Sequence, residues 1–397
     1  MVSFVAPWLE DSGARIRVAN ELRALADVGE VDLYCVLDTG RIKHGPQPPP
    51  DLPVRRLRMK ARPSPPLMRQ RLAWLKPGGP PRRIAGWHAD LEADLRAWAD
   101  ASYDLIWLVR APVVAAAGRL PDGPVILDLD DLNDVVALEG ASFARSRAAR
   151  WTARIESRRW AAYQRTIAAG VAAMGVCSEL DRTRLGLANA VVIPNGYEAD
   201  PAAATDGAAR QVHDPPALML QGSLLRPPLA DAATRLARDI LPLVRADLPN
   251  ARLLLVGPAD ASTRALGALD GVEAPGFVPD MAPWLAAADV VAVPMRWGSG
   301  TRIKIIEAFA HGIPVVSSTL GAEGLDVEDG THLLIADEPG AFAAACHRVL
   351  TDPDLRTRLT AAAHALYEAR YRWQPIRTQI EDLARTVAAG ARAGSRG

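Results

Sequence analysis

The stretch Trp297 to Val316, WGSGTRIKIIEAFAHGIPVV, decides the fold. A short apolar run, Val290–Val293, precedes it and ends at Pro294. Small residues follow, then two cations, a carboxylate inside an apolar helical pattern, and a second apolar run after Gly312-Ile313-Pro314. The order is strand, glycine loop, helix, strand. Gly298, Ser299, Gly300 and Thr301 form a loop in which backbone amides can approach an anion, because the glycines carry no Cβ. The helix behind it adds the positive end of its dipole and free N–H groups. Arg302 and Lys304 supply charge. Glu307 lies about a turn and a half into a helix expected over 301–311, where its carboxylate can accept hydrogen bonds from sugar hydroxyls. A phosphate loop beside a ribose-binding carboxylate implies a nucleotide site.

Outward from that stretch the pattern repeats. Strands are expected at 2–6, 31–37, 105–109, 125–129, 171–177 and 191–193, then at 218–221, 253–256, 290–293, 315–317 and 333–335. Several are apolar without alternation, as in parallel sheets covered on both faces. Helices are expected between them at 14–27, 89–99, 145–168, 231–245, 301–311 and 341–350. Alternating strand and helix implies an α/β fold of two doubly wound, Rossmann-like domains, binding ligand at the carboxyl ends of their strands. The EADPAAATDGAARQVHDPP segment lacks periodicity and marks the break. The expected organisation is a first domain over 1–196 with a Pro-rich basic insertion at about 44–88, a linker over 197–216, a second domain over 217–372, and a last helix within 373–397 that crosses back to the first.

Composition narrows the classes. The 397 residues suffice for two cores, and Lys+Arg and Asp+Glu are both 46, which gives no reason to expect a nucleic-acid partner. Lys43, Lys60, Lys76 and Lys304 are the only lysines; Arg usage with abundant Ala fits a GC-rich bacterial gene. Cys35, Cys177 and Cys346 are isolated, which fits a reducing cytosol and neither a disulfide framework nor a zinc site. MVSFVAPW lacks the basic and apolar regions of a signal peptide, so a cytoplasmic protein is expected. Asp128-Leu129-Asp130 matches a metal-binding D-x-D by a pattern common by chance, and no metal site is assigned. Residues 52–89 hold ten Lys and Arg and no Asp or Glu. With Trp74 and Trp87 interleaved, they are expected either to be a solvated loop or to touch an anionic membrane or a lipid-phosphate acceptor. Arg147, Arg150, Arg154 and Arg158 recur at helical spacing opposite Trp151 and Ile155, the pattern of an exposed helix face.

Four segments carry a resemblance to a known family. They are IPNGYEAD from Ile193, LQGSLLRPPLADAATRLARDILPLVRADLPNARLLLVGPAD from Leu220, GFVPDMAPWLAAADVVAVPM from Gly276, and GSGTRIKIIEAFAHGIPVVSSTLGAEGL from Gly298. The chain resembles glycosyltransferase family 4, the retaining, metal-independent enzymes of GT-B fold also called glycosyl transferases group 1. In the first domain only SGARIRVANELRALA and VILDLDDL look familiar. The resemblance implies two domains facing across a cleft and no cofactor beyond a nucleotide-diphosphate sugar as co-substrate. It implies a sugar-bearing or small-molecule acceptor, such as a glycan, lipid-linked saccharide or natural product.

By position, Glu307 would hold ribose. The loop amides, with Arg226, Arg302 or Lys304, would hold pyrophosphate beside Gly222 and Ser223, and main chain at Phe277–Val278 would meet the base. Gly13 and Asp131, or Asp130, would lie on the acceptor or reacting side. Three positions depart from the family: Ser299 stands where the first Glu of Glu-x7-Glu is common, Ser223 and Pro228 where Arg and Lys are, and Asp130-Asp131 where a His often is. Two other readings stay open: a GT-B epimerase or non-glycosidic transferase, and a non-catalytic nucleotide-sugar-binding homologue.

Overall fold

A computed structural model describes residues 1–8, 13–39, 42, 47–61, 68, 72, 74–76, 78–82, 84, 88–100, 102–117, 123–142, 146–199, 211–298 and 300–394. The chain divides into two compact units, Met1–Asn195 with Gln374–Gly397, and Gly196–Trp373. Residues 200–210 of the expected linker, Ser299, and much of the 62–87 insertion lie outside the described residues.

In the first unit the elements run β1 (Val2–Ser3), α1 (Gly13–Val28), β2 (Asp32–Leu37), β3 (Arg56–Ala61), α2 (His88–Trp98), β4 (Ile106–Val109), α3 (Ala111–Ala117), β5 (Val125–Asp128), α4 (Asn133–Ser142), α5 (Arg147–Ala168), β6 (Ala173–Val176), α6 (Glu179–Leu185) and β7 (Ala190–Val192). The strands form one parallel sheet ordered β3-β2-β1-β4-β5-β6-β7. Every residue of β2, β4, β5 and β6 is buried. Their runs do not alternate because helices cover both faces.

The second unit holds β8 (Ala217–Gln221), α7 (Pro227–Arg235), α8 (Leu241–Asp247), β9 (Arg252–Val256), α9 (Ala261–Arg264), β10 (Val272–Gly276), α10 (Ala282–Ala287), β11 (Val290–Val293), α11 (Ile303–Ala310), β12 (Val315–Ser317), β13 (Leu334–Ile335), α12 (Pro339–Thr351) and α13 (Pro353–Leu366). The final helix, α14 (Trp373–Gly394), follows, and its residues from Gln374 onward group with the first unit. There the Gln379 amide donates to the Val192 carbonyl at 2.6 Å. The second sheet is ordered β10-β9-β8-β11-β12-β13, again all parallel. In both sheets the first strand lies between the second and the fourth. The strand order reverses at β1/β4 and at β8/β11, and ligands of such sheets bind outside the carboxyl ends at that point.

Several expectations change. The helix expected over 231–245 begins at Pro227, and a wide π turn at Leu236–Ile240 separates its two halves. Pro242 follows that turn and cannot donate to the preceding carbonyls, so the ladder loosens there. Strands β3 and β10 were not expected. β3 is an edge strand whose charges mask its alternation, and β10 is an edge strand ending in Pro275-Gly276. The helix after the glycine loop begins at Ile303, so Thr301 and Arg302 precede it.

The largest correction concerns the basic insertion. Arg55, Arg56, Arg58 and Lys60 are not an uncompensated surface. Asp32 accepts from Arg55 Nε at 2.8 Å and from Arg56 Nη2 at 2.6 Å, and Asp94 accepts from Arg58 at 2.9 Å and Lys60 at 3.0 Å. The partners lie on β2 and α2, outside the run whose charge was read alone. These arginines and the lysine hold both carboxyls well below the usual range, against the opposing effect of burial. Among the described residues no helix is long and apolar enough to cross a membrane.

Candidate active site at the strand-order reversal of the second sheet

Gln221 ends β8, and Gly222 follows with φ +119°, a backbone few side chains adopt. Arg226 then precedes α7 in an extended conformation, and Pro227 opens the helix, where a missing N–H costs nothing. Across the reversal, β11 ends at Val293 and the chain passes through Gly298 (φ +120°) and Gly300 (φ +79°) before α11. A Cβ on Gly298 would stand 3.0 Å from Met295 Cε and 3.3 Å from Pro228 Cβ. The glycine loop and the start of α7 therefore pack together, and a side chain at Gly298 would need Met295 and Pro228 to give way.

Lys304 and Glu307 lie one turn apart on α11, both half-buried, beside the apolar residues Ile305, Ile306, Ala308 and Phe309 that anchor the helix. The Gln221 amide donates to the Lys304 carbonyl at 3.2 Å and to Glu307 Oε2 at 3.0 Å. That bond ties the end of β8 to α11. The Lys304 ammonium lies 3.8 Å from where a Cβ on Gly222 would stand. Burial lowers the Lys304 pKa to about 8; Arg302 and Arg226 push the same way and Glu307 opposes them. Burial raises the Glu307 pKa, against the hydrogen bond from Gln221, the charge of Lys304 and a hydrogen bond from Tyr197. Tyr197 in turn shares a 3.0 Å hydrogen bond with His311 Nε2 at the end of α11. A desolvated ammonium is poised for an anion, and a carboxylate held among donors is poised for hydroxyls.

The structure brings together Gly222, Arg226, Gly298, Gly300, Arg302, Lys304 and Glu307. Arg302 is placed differently from the expectation. Its guanidinium is buried and donates to the carbonyl oxygens of Gly298 and Gly300, so it shapes the loop from inside. Its charge still acts on Lys304. Ser223 and Arg226 are exposed on the turn after Gly222. Phe277 is 73% exposed and Val278 half-buried. Both follow β10, at the same carboxyl edge of the sheet but two strands from β8. Sequence reasoning missed Gln221 and Tyr197. Gln221 ends an apolar strand, and a polar residue there was the available signal. A cavity of about 600 Å³ also opens beside Met295 and Arg296, lined by Arg235, Thr319, Glu323 and Pro339, but it includes none of Gly222, Lys304 or Glu307.

Gly13 and Asp131 belong to the first unit. Gly13 is the first residue of α1, and residues 9–12 before it lie outside the described ones. Asp128, buried at the end of β5, accepts from Arg17 Nε at 2.9 Å and Nη2 at 2.6 Å. Arg17 Nη1 also donates to the Ile193 carbonyl at 2.9 Å and to Asn195 Oδ1 at 3.1 Å. Asp130 accepts from Arg110 at 2.5 Å, and both residues hold positive φ, +59° and +72°. Burial would raise the Asp130 pKa, but Arg110 and Arg17 outweigh it and hold the carboxyl low. The two carboxylates of the D-x-D match are thus engaged by different arginines. Asp131 is half-buried beside them.

Residues 215–352 match the family model described as Glycosyl transferases group 1. The chain is similar to a phosphatidyl-myo-inositol mannosyltransferase of Mycobacterium tuberculosis, 33% identical over 221 residues. That match covers 50% of this chain and 55% of the relative, so it spans about half the relative's length. Among solved structures it is similar to a sucrose-phosphate synthase of Thermosynechococcus elongatus, with TM-score 0.70, 20% identity, and 98% and 99% of the two chains covered. It is also similar to Anabaena HepE in complex with UDP and glucose, with TM-score 0.61, 18% identity, and 97% and 99% covered. At these identities the structures speak for the fold, the two-sheet α/β fold of GT-B proteins. The chain thus carries at residues 215–352 a domain of the Glycosyl transferases group 1 family.

Proposed function

We propose that the protein is a retaining glycosyltransferase that moves a sugar from a nucleotide-diphosphate sugar to a hydroxyl-bearing acceptor. The observation that carries this reading is the Lys304 ammonium set against Gly222, one turn from Glu307. Lys304 and Arg226 would take the diphosphate, with loop amides of Gly298–Thr301 completing the cradle. Glu307 would accept from the ribose hydroxyls, and main chain at Phe277–Val278 would meet the base. As the glycosidic bond to the diphosphate breaks, charge grows on the leaving oxygens. The fixed cations and amides would stabilise it most at the transition state, without a required metal. In the retaining scheme the leaving phosphate accepts the acceptor proton, so no separate base is needed. We assign the acceptor to the first unit, on Gly13 and Asp131.

The relative's name supports a mannosyl donor and a phosphoinositol-bearing acceptor, and the HepE complex supports UDP and glucose. The donor panel therefore includes GDP-mannose and UDP-glucose, and the acceptor panel includes inositol phosphates and phosphatidylinositol. The test is transfer of labelled sugar to these acceptors, with the anomeric configuration of the product read by NMR. Transfer with the donor's configuration kept is the expected result. An inverted product contradicts the retaining assignment, and sugar isomerisation without an acceptor favours an epimerase.

A further inference from the structure

Lys304, Glu307 and His311 are spaced three and then four residues apart, so they share one face of α11 and its cap. His311 closes the helix and is buried. Tyr197 reaches that face from a segment more than a hundred residues earlier. Its main chain is held on both sides. The Tyr197 N–H donates to the Tyr371 carbonyl at 2.9 Å, and the Tyr197 carbonyl accepts from the Tyr367 hydroxyl at 3.4 Å. Tyr367 and Tyr371 are themselves buried, in the wide turn that follows α13. The Tyr197 ring centre stands 5.8 Å from that of His311, and its hydroxyl lies 3.0 Å from His311 Nε2. The same hydroxyl reaches Glu307.

A phenol hydroxyl has one proton to give and lone pairs that receive. An ionised Glu307 can only accept, so the Tyr197 proton goes to the carboxylate. His311 must then donate from Nε2, which fixes where its ring carries a proton. The chain of donors runs from His311 Nε2–H to the Tyr197 oxygen, and from the Tyr197 O–H to Glu307. From the other side the Gln221 amide, at the end of β8, donates to Glu307 Oε2 at 3.0 Å. Two donors on separate segments stop the carboxylate from turning. An unsupported glutamate would lose that rotamer freedom only on binding its ligand, at a cost in affinity.

We propose, on the reading of Glu307 as the ribose acceptor, that Tyr197 and His311 are positioning residues for ribose recognition: the imidazole orients the hydroxyl, and the hydroxyl holds the carboxylate ready for a ribose diol. The full chain is titrated calorimetrically with UDP, GDP and ADP, and with inorganic pyrophosphate, which has no ribose. The nucleotide that binds wild type is expected to lose about two- to tenfold in affinity in Tyr197→Phe and in His311→Leu, and pyrophosphate to lose none. His311→Gln, whose amide nitrogen can still donate to Tyr197, is expected to restore nucleotide affinity. In a Glu307→Ala background Tyr197→Phe is expected to cost nothing more, because the hydroxyl acts through the carboxylate. A merely structural role would weaken both ligands alike and add to Glu307→Ala, and either result overturns the proposal. In the ligand-free protein ¹⁵N NMR is expected to show a proton on His311 Nε2, assigned by its loss in His311→Gln; a proton on Nδ1 alone overturns it as well. If Glu307→Ala loses nucleotide affinity and Tyr197→Phe does not, the positioning role falls and the ribose contact stands. If wild type binds none of the three nucleotides, or Glu307→Ala binds as wild type does, the ribose contact itself falls and takes the positioning role with it.

Discussion

The ammonium of Lys304 and the α-carbon of Gly222 face each other across the β8/β11 reversal, with 3.8 Å between Nζ and the position a Cβ would take. The lysine is the cation; the glycine leaves the space in front of it open. Burial and two neighbouring arginines lower the Lys304 pKa to about 8, so holding the ammonium charged in that place costs stability.

This sets a pH dependence. In the unfolded chain the lysine titrates near 10.5, and in the folded chain near 8. Below about 8 the burial penalty is fully present; between 8 and 10.5 the unfolded state binds more protons, and the penalty is relieved as pH rises. A diphosphate reverses the preference by favouring the ammonium. Nucleotide affinity is therefore expected to fall as pH rises through about 8, with proton uptake on binding. Calorimetry at pH 8.5 in two buffers of different ionisation enthalpy measures that uptake. In Lys304→Arg the uptake should disappear, because guanidinium does not titrate there.

Glu307→Ala should weaken donor binding by roughly ten- to hundredfold, the cost of a lost charged hydrogen-bond acceptor of about 1.5–3 kcal/mol. The fold should persist, because the Gln221 amide retains the Lys304 carbonyl as a partner. Titration of the variant with nucleotide sugar and with free phosphate separates ribose from phosphate contributions. Only the former should lose affinity.

Arg17→Met should destabilise the first unit by about 3–5 kcal/mol, since it leaves Asp128 charged and buried without its bidentate partner. Glu21, 3.3 Å from Arg17, loses the same partner; burial and the nearby Asp128 raise its pKa, against the pull of Arg17. Denaturant unfolding of the full chain should show the loss. A variant as stable as wild type would mean that Asp128 finds another partner.

Much of the second unit was legible in the sequence. β8, β9, β11 and β12 are built on short apolar runs, 217–220, 253–256, 290–293 and 315–316, that are wholly buried, and the spacing from Gly298 to Glu307 placed the loop and its helix. What stayed hidden depends on partners distant along the chain. Asp32 and Asp94 neutralise the β3 cations from outside the basic run, so its local charge count misled. Arg302 turns inward because the φ of Gly298 and Gly300 presents their carbonyls to it, a geometry no spacing encodes. Gln221 meets Glu307 only because β8 and β11 are neighbours in the sheet. Trp151, expected opposite Arg147, Arg150, Arg154 and Arg158, instead shares their exposed face: at 3.6 residues per turn it stands about 40° from Arg147, so the expectation misapplied the period.

Transfer activity should survive excess EDTA. Asp128 and Asp130, the acidic pair of the D-x-D match, are already bonded to Arg17 and Arg110, and the diphosphate charge is met by Lys304 and Arg226 in the proposed scheme. Assays with and without chelator, then with Mg²⁺ or Mn²⁺ restored, check it. Activity that vanishes and returns with metal would require a different account of the leaving group.

The most direct test of the nucleotide site is a thermal-shift and calorimetric screen of UDP, GDP, ADP and dTDP against wild type and Lys304→Met. A ligand at about 100 times its Kd stabilises the folded state by about 2.7 kcal/mol, enough to move the melting temperature by several degrees. One of the four is expected to do so in wild type and to lose at least about tenfold in affinity in Lys304→Met, while the unliganded variant melts at or above the wild-type temperature because a desolvated charge is gone. No shift with any nucleotide at millimolar concentration, or equal affinity in the variant, would contradict the account.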